Sequence, residues 1–264
     1  MLRFLRPALL MTLATGLLAG CSTVEEDKTA NWTPERIYAE ARDEANGGGY
    51  EKAVPLFEKL EGRAAGTPLA QQAQLEKAYA QYKSGEKAQA VATLDRFMKL
   101  HPSSPAYDYA LYLKGITNFN DNLGLFAWLS RQDLSERDQK AAKESYESFY
   151  ELTQRFPGSR YAPDAQQRMT YIINSLAQYE VHVARYYYQR GAYVAAVARA
   201  QTALSDYQGV PASQEALQIL VKSYDKLGMT DLRDDTLRVL EANFPGDNKD
   251  TPLTKAKNPW WKLW

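Results

Sequence analysis

Gly48-Gly49-Tyr50-Glu51-Lys52-Ala53-Val54-Pro55-Leu56-Phe57-Glu58-Lys59-Leu60 decides the fold, because its spacing returns along the chain. Gly48, Tyr50, Ala53, Phe57 and Leu60 superpose on Gly85, Lys87, Ala90, Leu94 and Phe97. They superpose again on Gly191, Tyr193, Ala196, Ala200 and Ala203, and on Gly228, Thr230, Arg233, Leu237 and Leu240. Within each pair of sets the interval is 37 residues. A glycine that permits a tight turn, followed by small and bulky side chains at three-and-four spacing, predicts the second helix of a helical hairpin. Three stops carry a proline just past the last turn: Leu100-His101-Pro102, Arg155-Phe156-Pro157 and Asn243-Phe244-Pro245.

A hairpin of this kind resembles the tetratricopeptide repeat, a helix–turn–helix unit of about 34 residues. The reading is an all-α solenoid of about five units and ten helices, spanning 33–66, 69–103, 105–158, 161–209 and 211–246. Small residues such as Ala53, Ala90, Ala196 and Ala203 let helices approach, and bulky ones fill the space between units. Two units depart from the pattern. In the third, Gly115 takes the first-helix small position and Ser145 and Phe149 take second-helix positions, which leaves an insertion, Phe119 to Gln139, expected as an ordered loop. In the fourth, the first helix is expected to run from Pro163 to Arg190. Met169, Ile172, Ile173, Leu176, Tyr179, Val183 and Tyr187 would form its inner face.

The N-terminus reads as targeting. Arg3 and Arg6 precede an apolar run, Ala8 to Leu18, whose eleven residues reach only about half of a roughly 30 Å hydrocarbon core. Leu18-Ala19-Gly20-Cys21 matches the bacterial lipobox, which makes residues 1–20 a cleaved signal peptide and Cys21 an anchor carrying S-diacylglycerol and an N-acyl chain. Two or three acyl chains bind a bilayer firmly where one binds marginally. Ser22 is similar to lipoproteins passed on to the outer membrane. Residues 21–32 read as the lipidated Cys and a flexible tether, polar and without periodicity.

Composition narrows the function. The chain has 264 residues, 32 basic and 32 acidic; without Arg3 and Arg6 the mature balance is −2, which argues against binding through nucleic-acid phosphates. One Cys excludes an internal disulfide, and His101, His182 and Cys21 lie too far apart in sequence for a Cys/His metal site. Gly-x-Ser-x-Gly, His-Glu-x-x-His and Gly-rich phosphate loops are missing, and Glu25-Glu26 and Asp234-Asp235 lack an acid/base partner. No enzyme, cofactor or metal is expected. The 18 tyrosines, Tyr186-Tyr187-Tyr188 among them, are expected mostly in packing, and His182 at the surface. In the insertion, Leu125, Phe126, Trp128 and Leu129 either pack over neighbouring helices or face a partner. Residues 247–264 form a Lys/Trp-rich tail: from Lys249 onward it holds four Lys against one Asp, with Trp260, Trp261, Leu263 and Trp264. It reads either as disorder with incidental Trp or as anchors for a membrane interface or a partner pocket.

Taken together, several pieces resemble the BamD family, the lipoprotein subunits of the outer-membrane β-barrel assembly (Bam) machinery. They are the lipobox, the opening Tyr50 to Phe57, Asp133-Leu-Ser-Glu-Arg-Asp138 in the insertion, Tyr161-Ala-Pro-Asp-Ala165 and the run Glu180 to Ala198. The resemblance implies a non-enzymatic scaffold on the periplasmic face of the outer membrane. Its N-terminal repeats, 33–103, would bind the C-terminal segments of unfolded outer-membrane proteins. Its C-terminal repeats, 104–246, would dock a POTRA domain of the barrel protein BamA, with BamC as a further partner. Candidate client-groove residues are Tyr38, Arg42, Tyr50, Tyr79 and Tyr82, with Phe57 in the same stretch; an aromatic and carboxylate tail needs an apolar pocket beside a cation. Arg199 and Tyr193 are the candidates for the BamA contact, since Arg can hold a carboxylate bidentately. Two competing readings are a tetratricopeptide pilotin for a secretin or pilus system and a cell-wall enzyme carrying accessory repeats.

Overall fold

The computed structural model describes residues 28–119, 136–246 and Leu253. Among the described residues the ten helices are α1 (Pro34–Asn46), α2 (Tyr50–Arg63), α3 (Pro68–Lys83), α4 (Lys87–Leu100), α5 (Tyr107–Asn118), α6 (Glu136–Arg155), α7 (Ala162–Gln189), α8 (Tyr193–Asp206), α9 (Ala212–Lys226) and α10 (Thr230–Asn243). Each packs on the helix before and after it, and odd helices also meet, α3 on α5 and α7 on α9. This is a tetratricopeptide solenoid of five hairpins. Among the described residues no helix is long and apolar enough to cross a membrane.

The four repeat glycines close the turns within four of the hairpins. Gly48, Gly85, Gly191 and Gly228 have φ of 81°, 87°, 77° and 70°, the left-handed region that a Cβ disfavours. Around Gly48 the Gly49 amide donates to the Glu44 carbonyl at 2.8 Å and the Gly48 amide to that of Ala45 at 3.1 Å. The same pair of bonds recurs at the other three turns, to Gln81 and Tyr82, to Tyr187 and Tyr188, and to Tyr224 and Asp225. These are Schellman ends: they satisfy orphan carbonyls of the outgoing helix while turning the chain back. Thr33 and Thr67 open α1 and α3 with side-chain caps onto the Arg36 and Ala70 amides, each followed by a proline at the first helical position.

Burial follows the repeat register. Ala53, Phe57 and Leu60 on α2, Ala90, Leu94 and Phe97 on α4, Ser145, Phe149 and Leu152 on α6, and Ala196, Ala200 and Ala203 on α8 are all sealed. On α10 only Leu240 of the matching trio is buried. Among the described residues no sixth hairpin packs on it, and Arg233, in the small-residue position, instead pairs with Asp225 and Asp234. Gly115 is needed for packing rather than for its dihedral: a Cβ there would meet the Phe149 ring at 2.4 Å. The Ser145 hydroxyl donates to its carbonyl at 2.8 Å.

Two expectations change. The insertion is not loop throughout, since Glu136–Gln139 form the first turn of a 20-residue α6. The long helix has the expected 28 residues, but its sealed stripe is Ala165, Ile172, Leu176, Ala177, Val181 and Ala184, while Met169, Ile173, Tyr179, Val183 and Tyr187 are half-buried. Over nearly eight turns the side facing α6 and α9 drifts around the helix, and small alanines occupy the closest approaches. The polar stretch before α1 is also partly docked: Thr29 is buried and the Arg63 guanidinium donates to the Thr29 and Trp32 carbonyls at 2.6 and 2.9 Å.

Candidate functional site

The odd helices of the first three hairpins, α1, α3 and α5, present a groove of about 370 Å³ lined by Arg42, Gln72, Leu75, Glu76, Tyr79 and Tyr109. Equivalent positions on neighbouring repeats lie about 34 residues apart, so the repeat itself sets the partners. Arg42 donates to Glu76 at 2.6 Å, Gln72 to the Tyr38 hydroxyl, and Ser104 to Gln71 at 3.2 Å. The hydrogen bond from Arg42 to Glu76, reinforced by that charge, raises the guanidinium above its ordinary pKa. The pair is half-exposed, so it positions the groove wall more than it stabilises the fold.

Tyrosines supply the apolar surface. Tyr50 meets Tyr79 edge-on at 6.2 Å, and Tyr79 meets Tyr82 at 6.5 Å. The Lys83 ammonium lies 5.8 Å from the Tyr50 ring centre, a cation beside an aromatic wall. Tyr38 leans on the sealed Phe57, which belongs to the core. Of the candidate groove residues, Arg42 and Tyr79 line the cavity; Tyr38, Tyr50 and Tyr82 are tied to it through Gln72 and Tyr79. Phe57 is excluded by burial.

The aromatic row continues past the residues that spacing singled out. Tyr109 lies 5.6 Å from Tyr161, which stacks on Tyr112 at 4.7 Å and 20°. Tyr112 donates to Asp164 at 2.8 Å, and Arg168 holds the same carboxylate at 2.6 Å. Burial pushes both phenols up, Tyr112 also through its bond to Asp164, so they remain neutral donors. Beneath the groove, Glu61 gathers Lys77, Gln74 and Arg96 at 2.7 to 2.9 Å. Burial alone would raise its carboxyl, but hydrogen bonds from Lys77 and Gln74 and the charges of Lys77 and Arg96 hold it below the ordinary range.

The second candidate surface, on α7 to α9, is built from ion pairs. Arg199 is exposed, yet its guanidinium donates to the buried Glu180 carboxylate at 3.1 Å. Tyr193 is half-buried against Tyr188 at 5.6 Å. The bidentate arginine here is Arg185, which grips the buried Glu215 at 2.5 and 2.6 Å and ties α7 to α9. Nearby, burial and then the Glu180 and Asp206 charges push the Tyr207 phenol up to about 12. A charge reversal at Arg199 would therefore set a second carboxylate against Glu180, a structural cost that the sequence alone does not reveal. His182 is exposed. Cys21, Phe126, Trp128 and the Trp residues of the tail lie outside the described residues.

Among the described residues no group of three or more His, Cys, Asp and Glu side chains is placed to hold a metal ion. What the arrangement offers is recognition: aromatic faces, one exposed cation and paired polar groups along three helices.

A family model described as an outer membrane lipoprotein (YfiO) matches residues 30–239. The chain is similar to outer membrane protein assembly factor BamD of Neisseria meningitidis serogroup A, 46% identical over 97% of this chain and 98% of the relative. It is also similar to BamD of Xylella fastidiosa strain Temecula1, 36% identical over 91% and 81%, and of Vibrio cholerae, 33% identical over 88% and 95%.

Proposed function

The chain belongs to the YfiO outer membrane lipoprotein family together with these BamD assembly factors, and from that premise we propose that it is a non-enzymatic scaffold of the Bam complex. It assists β-barrel assembly at the periplasmic face of the outer membrane, held there by acyl chains on Cys21. Its C-terminal repeats dock BamA, and BamC is a further partner. Its N-terminal groove receives the C-terminal segments of client proteins. The tyrosine-walled groove across α1, α3 and α5 carries the client reading. A client segment ending in an aromatic residue seats the ring among Tyr50, Tyr79 and Tyr82, and its carboxylate meets Lys83 or exchanges with Glu76 for Arg42. Because Arg42 already has a partner, this exchange contributes selectivity more than affinity.

Titration of the full mature chain with a peptide ending in Phe-COO⁻ tests this. Tyr79→Ala is expected to weaken binding about tenfold, roughly 1.4 kcal/mol, with helical content unchanged; equal affinity would remove the groove from client recognition. The BamA contact is read separately, by co-purification with Arg199→Gln, which avoids the repulsion that Arg199→Glu creates with Glu180.

A further inference from the structure

A larger groove, about 840 Å³, opens at the other end of the solenoid. Its walls are Ile173 and Asn174 on α7, Leu204 and Val210 around the end of α8, Leu217 on α9 and Phe244 after α10. The floor is a seam between two cores. Ile173, Leu204 and Val210 belong to the large core that runs from α5 to α9, while Leu204, Leu217 and Phe244 belong to a small one under α10. Val239, on the rim, is 49% exposed although it is the valine immediately before the sealed Leu240.

Two observations bear on what this groove receives. Asn174 is 4% exposed and its amide nitrogen donates to the Thr170 carbonyl at 2.8 Å, but its Oδ1 has no hydrogen-bond partner among the described residues. A buried acceptor left unpaired costs about 1–3 kcal/mol, so an occupant that brings an N–H donor is favoured there. The second is Leu253. It is half-buried and packs against the large core, although the chain left α10 at Asn243. Leu253 therefore rests on the same core whose Ile173, Leu204 and Val210 line the groove.

We propose that the groove is the seat of the chain's own segment Thr254–Trp264, which continues from Leu253. That segment carries Trp260, Trp261, Leu263 and Trp264 for an apolar trough, and each indole N–H is a donor of the kind Asn174 Oδ1 lacks. Held in cis, the segment covers the seam that α10, the last described helix, leaves open.

Photo-crosslinking of the full chain tests this, with benzoylphenylalanine in place of Trp261 and an equal mixture of isotopically light and heavy protein. Crosslinks within one chain to peptides of α7, α9 and α10 are expected, and the rim variant Val239→Glu, exposed and therefore neutral for folding, is expected to cut their yield at least fivefold. Light-to-heavy crosslinks would instead make the occupant a second copy. Crosslinks to detergent or lipid would make the segment a membrane anchor. Crosslinks within one chain but elsewhere on the body would place it outside the groove. Any of the three overturns the proposal, as does an unchanged yield in Val239→Glu.

Discussion

The two grooves use the same scaffold with opposite chemistry. Across α1, α3 and α5 the polar groups answer one another at the repeat interval, Arg42 to Glu76 and Gln72 to Tyr38, and the apolar surface is tyrosine. Across α7 to α10 the lining surface is largely apolar, and a buried amide oxygen has no partner among the described residues. A groove whose polar groups are already paired binds by exchange, with little net gain per contact and easy release. An apolar trough with an orphan acceptor gains both burial and a hydrogen bond, and holds its occupant longer. A solenoid can keep both because each repeat contacts only its neighbours, so its ends evolve different surfaces without disturbing one another.

That separation can be broken at the joint between the two ends. Phe149 is sealed between α5 and α6, against Gly115 and 6.1 Å from the Tyr112 ring. Phe149→Ala is expected to cost about 3–5 kcal/mol, and hydrogen exchange should then rise in α5 to α7 first. Equal loss of protection from α1 to α10 would mean that the chain unfolds as one unit. A milder change sharpens the contrast from one side: Gly191→Ala adds a methyl into open space at φ 77°, so its cost is conformational, about 1–2 kcal/mol. Its effect should be confined to α7 and α8 in the same exchange measurement.

From the other side, Glu61 offers a pH handle. Its carboxyl is held below the ordinary value of 4.5, so the folded state favours the ionised form. The stabilisation is complete at neutral pH and is lost as the pH falls below 4.5 and through the lowered value. Glu61→Gln should therefore lower Tm at pH 7 slightly and flatten the acid side of the Tm profile, with the change confined to α2 to α4. A profile as steep as that of the parent chain would remove Glu61 as the source of the acid dependence.

Much of the fold was legible in one dimension. The four turn glycines, the proline stops and the tight Gly115–Phe149 contact are properties of single residues whose backbone or volume admits few alternatives, and each stands where spacing put it. The site was legible only in part. Tyr38, Arg42, Tyr50, Tyr79 and Tyr82 come together, but Phe57, from the same stretch, is core, and the row through Tyr109, Tyr112 and Tyr161 was not singled out. Tyrosine serves both roles because its ring packs while its hydroxyl stays wet, so composition cannot sort one from the other. The signal that could have found the row is the repeat interval: 34 residues beyond Arg42 stands Glu76, and 33 beyond Glu76 stands Tyr109.

The sequence by itself determined the hairpins, their number and the irregular units, because turn dihedrals, helix stops and apolar periodicity are local and cooperative along the chain. Only the tertiary structure decided who pairs with whom within the chain: Arg199 with the buried Glu180, Arg185 bidentately with Glu215, and Asn174 with its oxygen unpaired among the described residues. Those outcomes depend on side chains from different hairpins arriving at one point to within an ångström, and the rotation of one repeat on the next sets that meeting.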